Sequence, residues 1–182
     1  RYNWGGIGTS NTLALAAGGY TGTANTANAE LWNGSSWAEQ NNISSAGNGM
    51  GGTGTTTAGL ISGRQPSSST EEWLGAGAAV NAWASGGSMN SGRRQAGAAG
   101  TQTATLAFGG EDPGNAQLAL TEQYDGTSWT EVGDMNTARI RPGNAGTQTS
   151  ALAFGGQPSG GTPSDQEITF NESWNGSSWT EV

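Results

Sequence analysis

The 182-residue chain contains 33 Gly and no Cys, His or Lys, and its formal net charge of −8 comes from 14 acidic residues set against 6 Arg. That inventory excludes disulfides, thiolate and imidazole catalysis and Cys- or His-built metal sites, and the lack of clustered cations argues against nucleic-acid backbone or anionic membrane as partners. No apolar run approaches the ~18 residues of a membrane-spanning helix, and no signal-peptide pattern opens the chain.

The sequence is periodic. Trp37, Trp83, Trp129 and Trp179 recur at spacings of 46, 46 and 50 residues, and Thr55, Thr101 and Thr147 keep the 46-residue beat. The wording is nearly copied as well, with AGTQTATLAFGG ending at Gly110 and AGTQTSALAFGG ending at Gly156. Four copies fill the chain, at about 1–46, 47–92, 93–138 and 139–182. A hydrophobic content of 32% would be thin for one compact core. In a repeat array, however, each unit buries its apolar face on its neighbour, so short strands carrying one or two large side chains suffice. Eight Trp argue against disorder, and each buried one is worth roughly 2–3 kcal/mol by area.

In the first repeat an apolar strand ends at Gly18-Gly19, followed by Trp32, the turn pair Asn33-Gly34 and Trp37. The second repeat departs from this: Gly63-Arg64 stands where the Gly pair is expected, and Trp73 and Trp83 lie ten residues apart instead of five, predicting an altered edge with an inserted loop, LGAGAAVNA. The third is the cleanest. Residues 95–102 are small and Gly-rich, as a strand against a crowded axis requires, and 103–110 alternate apolar and small before the pair Gly109-Gly110. A third strand at 120–124 and a fourth at 127–132 flank Asp125-Gly126, which predicts a type I′ hairpin with positive φ at both central residues. The fourth repeat returns to the pattern with Gly155-Gly156, Trp174, Asn175-Gly176 and Trp179.

Four antiparallel strands per unit of about 46 residues is the geometry of a propeller blade. The expected fold is therefore all-β, a single β-propeller domain of four blades. The Gly pair after an apolar strand, the aromatic at Trp32, Trp73, Tyr124 and Trp174, the Trp beyond it, and the MNTAR connector resemble a kelch repeat over nearly the whole chain. The resemblance implies that Trp37, Trp83, Trp129 and Trp179 pack between adjacent blades, together with Trp32, Trp73, Tyr124 and Trp174. Kelch propellers usually have six or seven blades, so four leave three readings: closure alone, a larger ring shared with another chain, or part of a longer protein.

Strand order places the loops between second and third strands on one end with the blade-to-blade connectors. These loops vary in length, from 6 residues (65–70) to 15 (157–171), and variable loops on a regular scaffold are where binding specificity tends to live. They supply the candidate binding residues Tyr20, Glu111, Asp112, Asp165 and Glu167. A Glu precedes the third-strand aromatic in every repeat, at Glu30, Glu71, Glu122 and Glu172. Four equivalent carboxylates could ring a cation such as Ca²⁺, but pairing with an Arg such as Arg93 or Arg139, or capping backbone donors of the neighbouring blade, is the stronger reading. The third-strand aromatics could likewise stack on sugars, with interblade packing preferred. Asn33, Asn42, Asn171 and Asn175 match the N-glycosylation pattern, and a hairpin role accounts for Asn33 and Asn175 without sugar.

Enzymatic function is not expected, and no cofactor or metal is assigned. Some kelch propellers are oxidases with a copper centre of Tyr, Cys and His, and this chain lacks the last two. The repeat wording also resembles tandem kelch-like repeats of phage and environmental viral structural proteins, which implies a tail-fibre or virion-surface recognition role in host attachment. The partners so implied are other structural chains or cell-surface glycans, with homo-oligomers allowed. A free lectin with repeated weak sites and a protein-interaction scaffold are the alternatives, and location outside the cell or on the virion surface suits the acidic, Thr- and Ser-rich composition.

Overall fold

A computed structural model describes residues 1–64, 67–75, 82–158 and 171–182. The described residues contain strands and turns and no helix. The first sheet is β1 (Gly5–Ser10), β2 (Leu13–Ala17), β3 (Ala29–Trp32) and β4 (Trp37–Gln40); the second is β5 (Gly51–Gly54), β6 (Ala58–Arg64), β7 (Ser67–Leu74) and β8 (Ala82–Ser85). The third is β9 (Gly97–Thr101), β10 (Ala104–Phe108), β11 (Thr121–Tyr124) and β12 (Trp129–Glu131). A short pair, β13 (Arg139–Ile140) with β16 (Gln157–Pro158), accompanies the fourth sheet of β14 (Gly143–Gly146), β15 (Ala151–Phe154), β17 (Asn171–Trp174) and β18 (Trp179–Glu181). Each four-stranded sheet is an antiparallel meander in chain order, matching the four-strand reading of the repeat. The β13–β16 pair has no counterpart in that reading.

The turn after the third strand differs from the expected type I′. Cross-strand partners are Trp32↔Trp37, Tyr124↔Trp129 and Trp174↔Trp179, so each loop holds four residues, and only the Gly (Gly34, Gly126, Gly176) has positive φ. The residue before it caps the turn instead: Asn33 Oδ1 accepts the N–H groups of Ser35 and Ser36 at 3.0 and 2.9 Å, and Asp125 Oδ1 those of Thr127 and Ser128, both at 2.8 Å. Those backbone donors hold the Asp125 carboxyl below its ordinary range. The aromatic pair brackets the turn in every sheet, and the second sheet keeps Trp73↔Trp83 despite its longer connection, whose residues 76–81 of the predicted insertion lie outside the described residues. Ring centroids within each pair are 5.0 to 5.5 Å apart, a contact worth about 0.5–1.5 kcal/mol beyond area burial.

The sheets stack face to face in chain order. Because strand side chains alternate, second-strand Leu15, Leu60 and Leu106 point at the following sheet, while Ile61, Ala107 and Ala153 point back. Leu15 and Ala29 thus meet Ile61 and Trp73; Leu60 meets Ala107, Tyr124 and Trp129; Leu106 and Phe108 meet Ala153, Trp174 and Trp179. The Gly-rich first strands lie side by side at the inner edge: a methyl group on Gly52 would run into the carbonyl oxygen of Gly6, and one on Gly51 would sit 3.3 Å from the Ala98 methyl. That crowding is why the first strand of each repeat is rich in Gly. β1 meets β5, β5 meets β9 and β9 meets β14, while no comparable contact joins β14 back to β1 among the described residues.

Two polar devices tie the sheets together. Trp129 Nε1 donates to Thr70 Oγ1 and Trp179 Nε1 to Thr121 Oγ1, both at 3.0 Å and both buried. The equivalent residue in the first sheet is Ala29, and the indole that would need its hydroxyl, Trp83, has a buried Nε1 with no partner. The second device is a carboxylate latch. Glu122 accepts the backbone N–H of Asn90 (2.8 Å) and Ser91 (3.3 Å) from the connector and pairs with buried Arg93; Glu172 does the same with Asn136 (2.7 Å), Thr137 (3.3 Å) and Arg139 (2.5 Å). Burial pushes the Arg93 guanidinium down, and Glu122 opposes that shift.

The departure of the second repeat follows from the same latch. Arg1, Gly47, Arg93 and Arg139 are spaced by 46 residues, so the second sheet lacks the connector Arg. Arg64 fills the place: its side chain packs over Gly47, and its Nη1 reaches Glu71 Oε1 at 2.6 Å and the Ser45 carbonyl at 3.1 Å. Ser44, at the Asn90 position, caps Glu71 through its N–H at 2.8 Å and its hydroxyl at 2.9 Å.

Two outcomes follow. Ala29→Thr supplies the missing acceptor for Trp83 and raises stability by about 1 kcal/mol in chemical denaturation. Glu122→Gln leaves Arg93 buried beside a neutral partner and costs about 3–5 kcal/mol, whereas Glu30→Gln, whose partner pair with Arg1 is part-exposed, costs under about 1 kcal/mol in the same measurement.

Candidate binding surface

The loops after the second strands and the connectors share one end of the stack, as strand order requires. Arg94 of a connector exchanges backbone hydrogen bonds with Glu111 of the loop after β10, at 2.9 Å each way, and Gly19 N–H donates to the Gly47 carbonyl at 2.7 Å. Tyr20 forms backbone bridges to Tyr2 and Asn25, and its ring meets the Tyr2 ring edge-on with centroids 5.4 Å apart. Glu111 is buried, pairs with Arg94 Nε at 2.6 Å and accepts from Gln95 Nε2 at 3.1 Å. Asp112 accepts the N–H of Ala116 at 2.8 Å and closes a turn. Glu111 and Asp112 therefore shape the loop from within. Asp165 and Glu167 lie outside the described residues.

The third-strand carboxylates do not gather around a cation. Glu30, Glu71, Glu122 and Glu172 each pair with a different Arg, and the described residues contain no group of three or more acidic side chains that could hold a metal. The aromatics divide by position. Trp73, Tyr124, Trp129, Trp174 and Trp179 are buried in the seams between sheets, and Trp83 is half-buried there. Trp32 is half-buried, and Trp37, expected between blades, is 51% exposed because none of the described sheets lies against that face of the first sheet. Tyr124 differs in chemistry as well. Trp32, Trp73 and Trp174 donate to the carbonyl of their own sheet's first turn, whereas the Tyr124 hydroxyl donates across the seam to Glu72 Oε1 at 2.6 Å. Burial, then that hydrogen bond, raises its pKa to about 12.

Sequence reading did not single out the collar at this end. Asn3, Gly49, Gln95 and Arg141, again 46 residues apart, all have positive φ (57, 75, 60 and 53°). They are linked in series: Gly49 N–H donates to the Asn3 carbonyl at 2.7 Å, Gln95 N–H to Gly49 at 2.5 Å, and Arg141 N–H to Gln95 at 2.8 Å. The signal was present in the 46-residue spacing, but four different residue types at those positions hid it. Left-handed backbone at three non-Gly residues, Asn3, Gln95 and Arg141, is strain that the surrounding packing must hold. Past the collar, towards the turns that end them, the first strands of all four sheets line one cavity of about 230 Å³, bounded by Gly8, Thr9, Thr53, Gly100, Asn144 and Gly146 among others. Its walls are backbone and short neutral side chains, which suits hydrogen bonding to a neutral polar ligand.

Exposed Arg141 should be the cheapest strained position to relieve. Arg141→Gly raises stability by about 0.5–1 kcal/mol by denaturant titration, through removal of the left-handed penalty. No family model matches this chain, and no curated protein matches it.

Proposed function

We propose that the four sheets are blades of a kelch-like β-propeller and that the chain is a non-catalytic recognition module working outside the cell or on a virion surface, in the manner of a tail fibre. The observation that carries this reading is the division of labour among polar groups. Nearly every buried carboxylate and guanidinium is committed to holding one sheet to the next, while loops of unequal length, the collar and exposed Arg141 share a single end of a rigid repeating frame. A frame of that kind presents ligand contacts and performs no proton transfer. Asn, Gln, Thr and Tyr groups at that end suit neutral hydroxylated ligands, so cell-surface glycans are the preferred partner class. Repetition supports weak multivalent sites, whose avidity grows without strong single contacts.

The test is a glycan array probed with the protein clustered on beads. Saturable binding, competed by the free sugar and weakened about tenfold or more by Tyr20→Ala or Arg141→Ala but unchanged by Thr103→Ala at the opposite end, is the expected result. Absence of binding by folded protein would sink the glycan reading and leave an assembly role.

A further inference from the structure

The two outer faces of the stack are the two halves of its own internal seam. On the fourth sheet, Leu152 and Phe154 are each 44% exposed, whereas their counterparts one repeat earlier, Leu106 and Phe108, are fully buried beneath the next sheet. Leu15 and Leu60, at the same strand position, are buried too, and Ala145 is exposed where Ala99 is covered. On the first sheet the complementary half lies open. Trp37 is 51% exposed where Trp129 and Trp179 are 5%, and with Trp4, Ala16, Arg1 and Glu30 it lines a pocket of about 250 Å³.

The polar ties stop at the same two places. Asn171 stands exposed at the position where Thr70 and Thr121 receive an indole N–H from the following sheet. The backbone collar runs from Asn3 to Arg141, and no bond from Asn3 N–H to the Arg141 carbonyl closes it. Apolar seam, indole acceptor and collar are thus each interrupted between the fourth sheet and the first, and each is interrupted as a matched donor and recipient.

From this we infer that a second copy of this chain seats its first sheet on the fourth sheet of its partner, and receives the partner's first sheet in return, giving a two-fold closed ring of eight sheets. The occupant is specified by continuity: the face that fits Leu152 and Phe154 is the one that already fits Leu106 and Phe108 in the third seam. Counting favours two copies, since propellers close with about four to eight blades, one copy leaves both faces bare, and three copies exceed the range. Two head-to-tail contacts that return to the start form a ring and not a filament. The inference rests on the propeller reading of the sheets but not on any glycan ligand.

The experiment is sedimentation equilibrium and light scattering of the whole chain over a concentration series. The expected mass is twice the 18.3 kDa of one chain. Leu152→Arg and Trp37→Arg, both on exposed faces and so with unchanged circular dichroism, should each shift the protein to monomer. Their equimolar mixture should re-associate, because it restores one intact Trp37-on-Leu152 contact that neither variant has alone. Asn171→Thr, which offers the partner's Trp37 a hydroxyl, should tighten the dimer about fivefold. A monomer at all concentrations, a dimer indifferent to both Arg variants, a mixture no tighter than its components, or an open-ended series of larger species would each overturn the proposal. Each outcome is independent of the glycan array, so failure of one reading leaves the other measurable.

Discussion

A carboxylate buried between two sheets must be neutralised and fully hydrogen-bonded, and this constraint organises the molecule. Glu122 and Glu172 meet it with one guanidinium and the backbone N–H groups of the arriving connector. One side chain therefore does three things: it anchors the Arg of its own repeat, fixes the path of the chain between sheets, and sets the distance of the preceding sheet. Low local dielectric makes an incomplete latch expensive, so a repeat that loses one member must recruit a substitute. Arg64 does so over Gly47, and an oddity of the second repeat becomes a conserved electrostatic arrangement reached from another direction.

Around that latch the seams are built by alternation. A second-strand Leu faces forward, its neighbour faces back, and two aromatics per repeat close over the forward Leu of the sheet before. The indole hydrogen bond to Thr70 or Thr121 adds direction to a contact that apolar packing alone would leave free to slide. At the other end of the seam, Gln102 Nε2 donates to the carbonyls of Gly59 and Trp73 at 3.2 and 3.0 Å, and Gln148 repeats this on Thr105 and Tyr124 at 3.3 and 2.6 Å. The first two sheets lack that Gln and the Thr at position 29, so the seam between them relies more on its apolar cluster of Leu15, Ile61 and Trp73.

Glu71, Glu122 and Glu172 spend their charge on guanidiniums inside the frame, so the ligand surface is left to other groups. That separates scaffold from recognition: loop residues can vary without touching the latches, except where a loop residue such as Glu111 has been drawn into the frame by Arg94. The same repetition that makes the stack regular leaves seam residues exposed on the first and fourth sheets, Trp37 on one and Leu152 with Phe154 on the other.

Much of the fold was legible in the sequence. The 46-residue beat, the Gly pairs and the alternating LAF strands determined four four-stranded antiparallel sheets with nearly correct strand limits, because period-2 patterning and turn residues act within a repeat. Glu pairing with an Arg such as Arg93 or Arg139 was readable because a Glu precedes the third-strand aromatic in every repeat, although the two pairs span 29 and 33 residues. What the sequence could not show depended on neighbours in space. Asn33 and Asp125 look like type I′ residues until the aromatic pairs on either side impose a four-residue loop, and Glu111 looks like a surface acid until Arg94 arrives from another element. Trp37 and Trp129 stand in nearly the same local wording, yet one is exposed and the other buried. Only the tertiary structure decided between them, because burial of a repeat's aromatic depends on whether another sheet lies against it, and that is a property of the stack and not of the repeat.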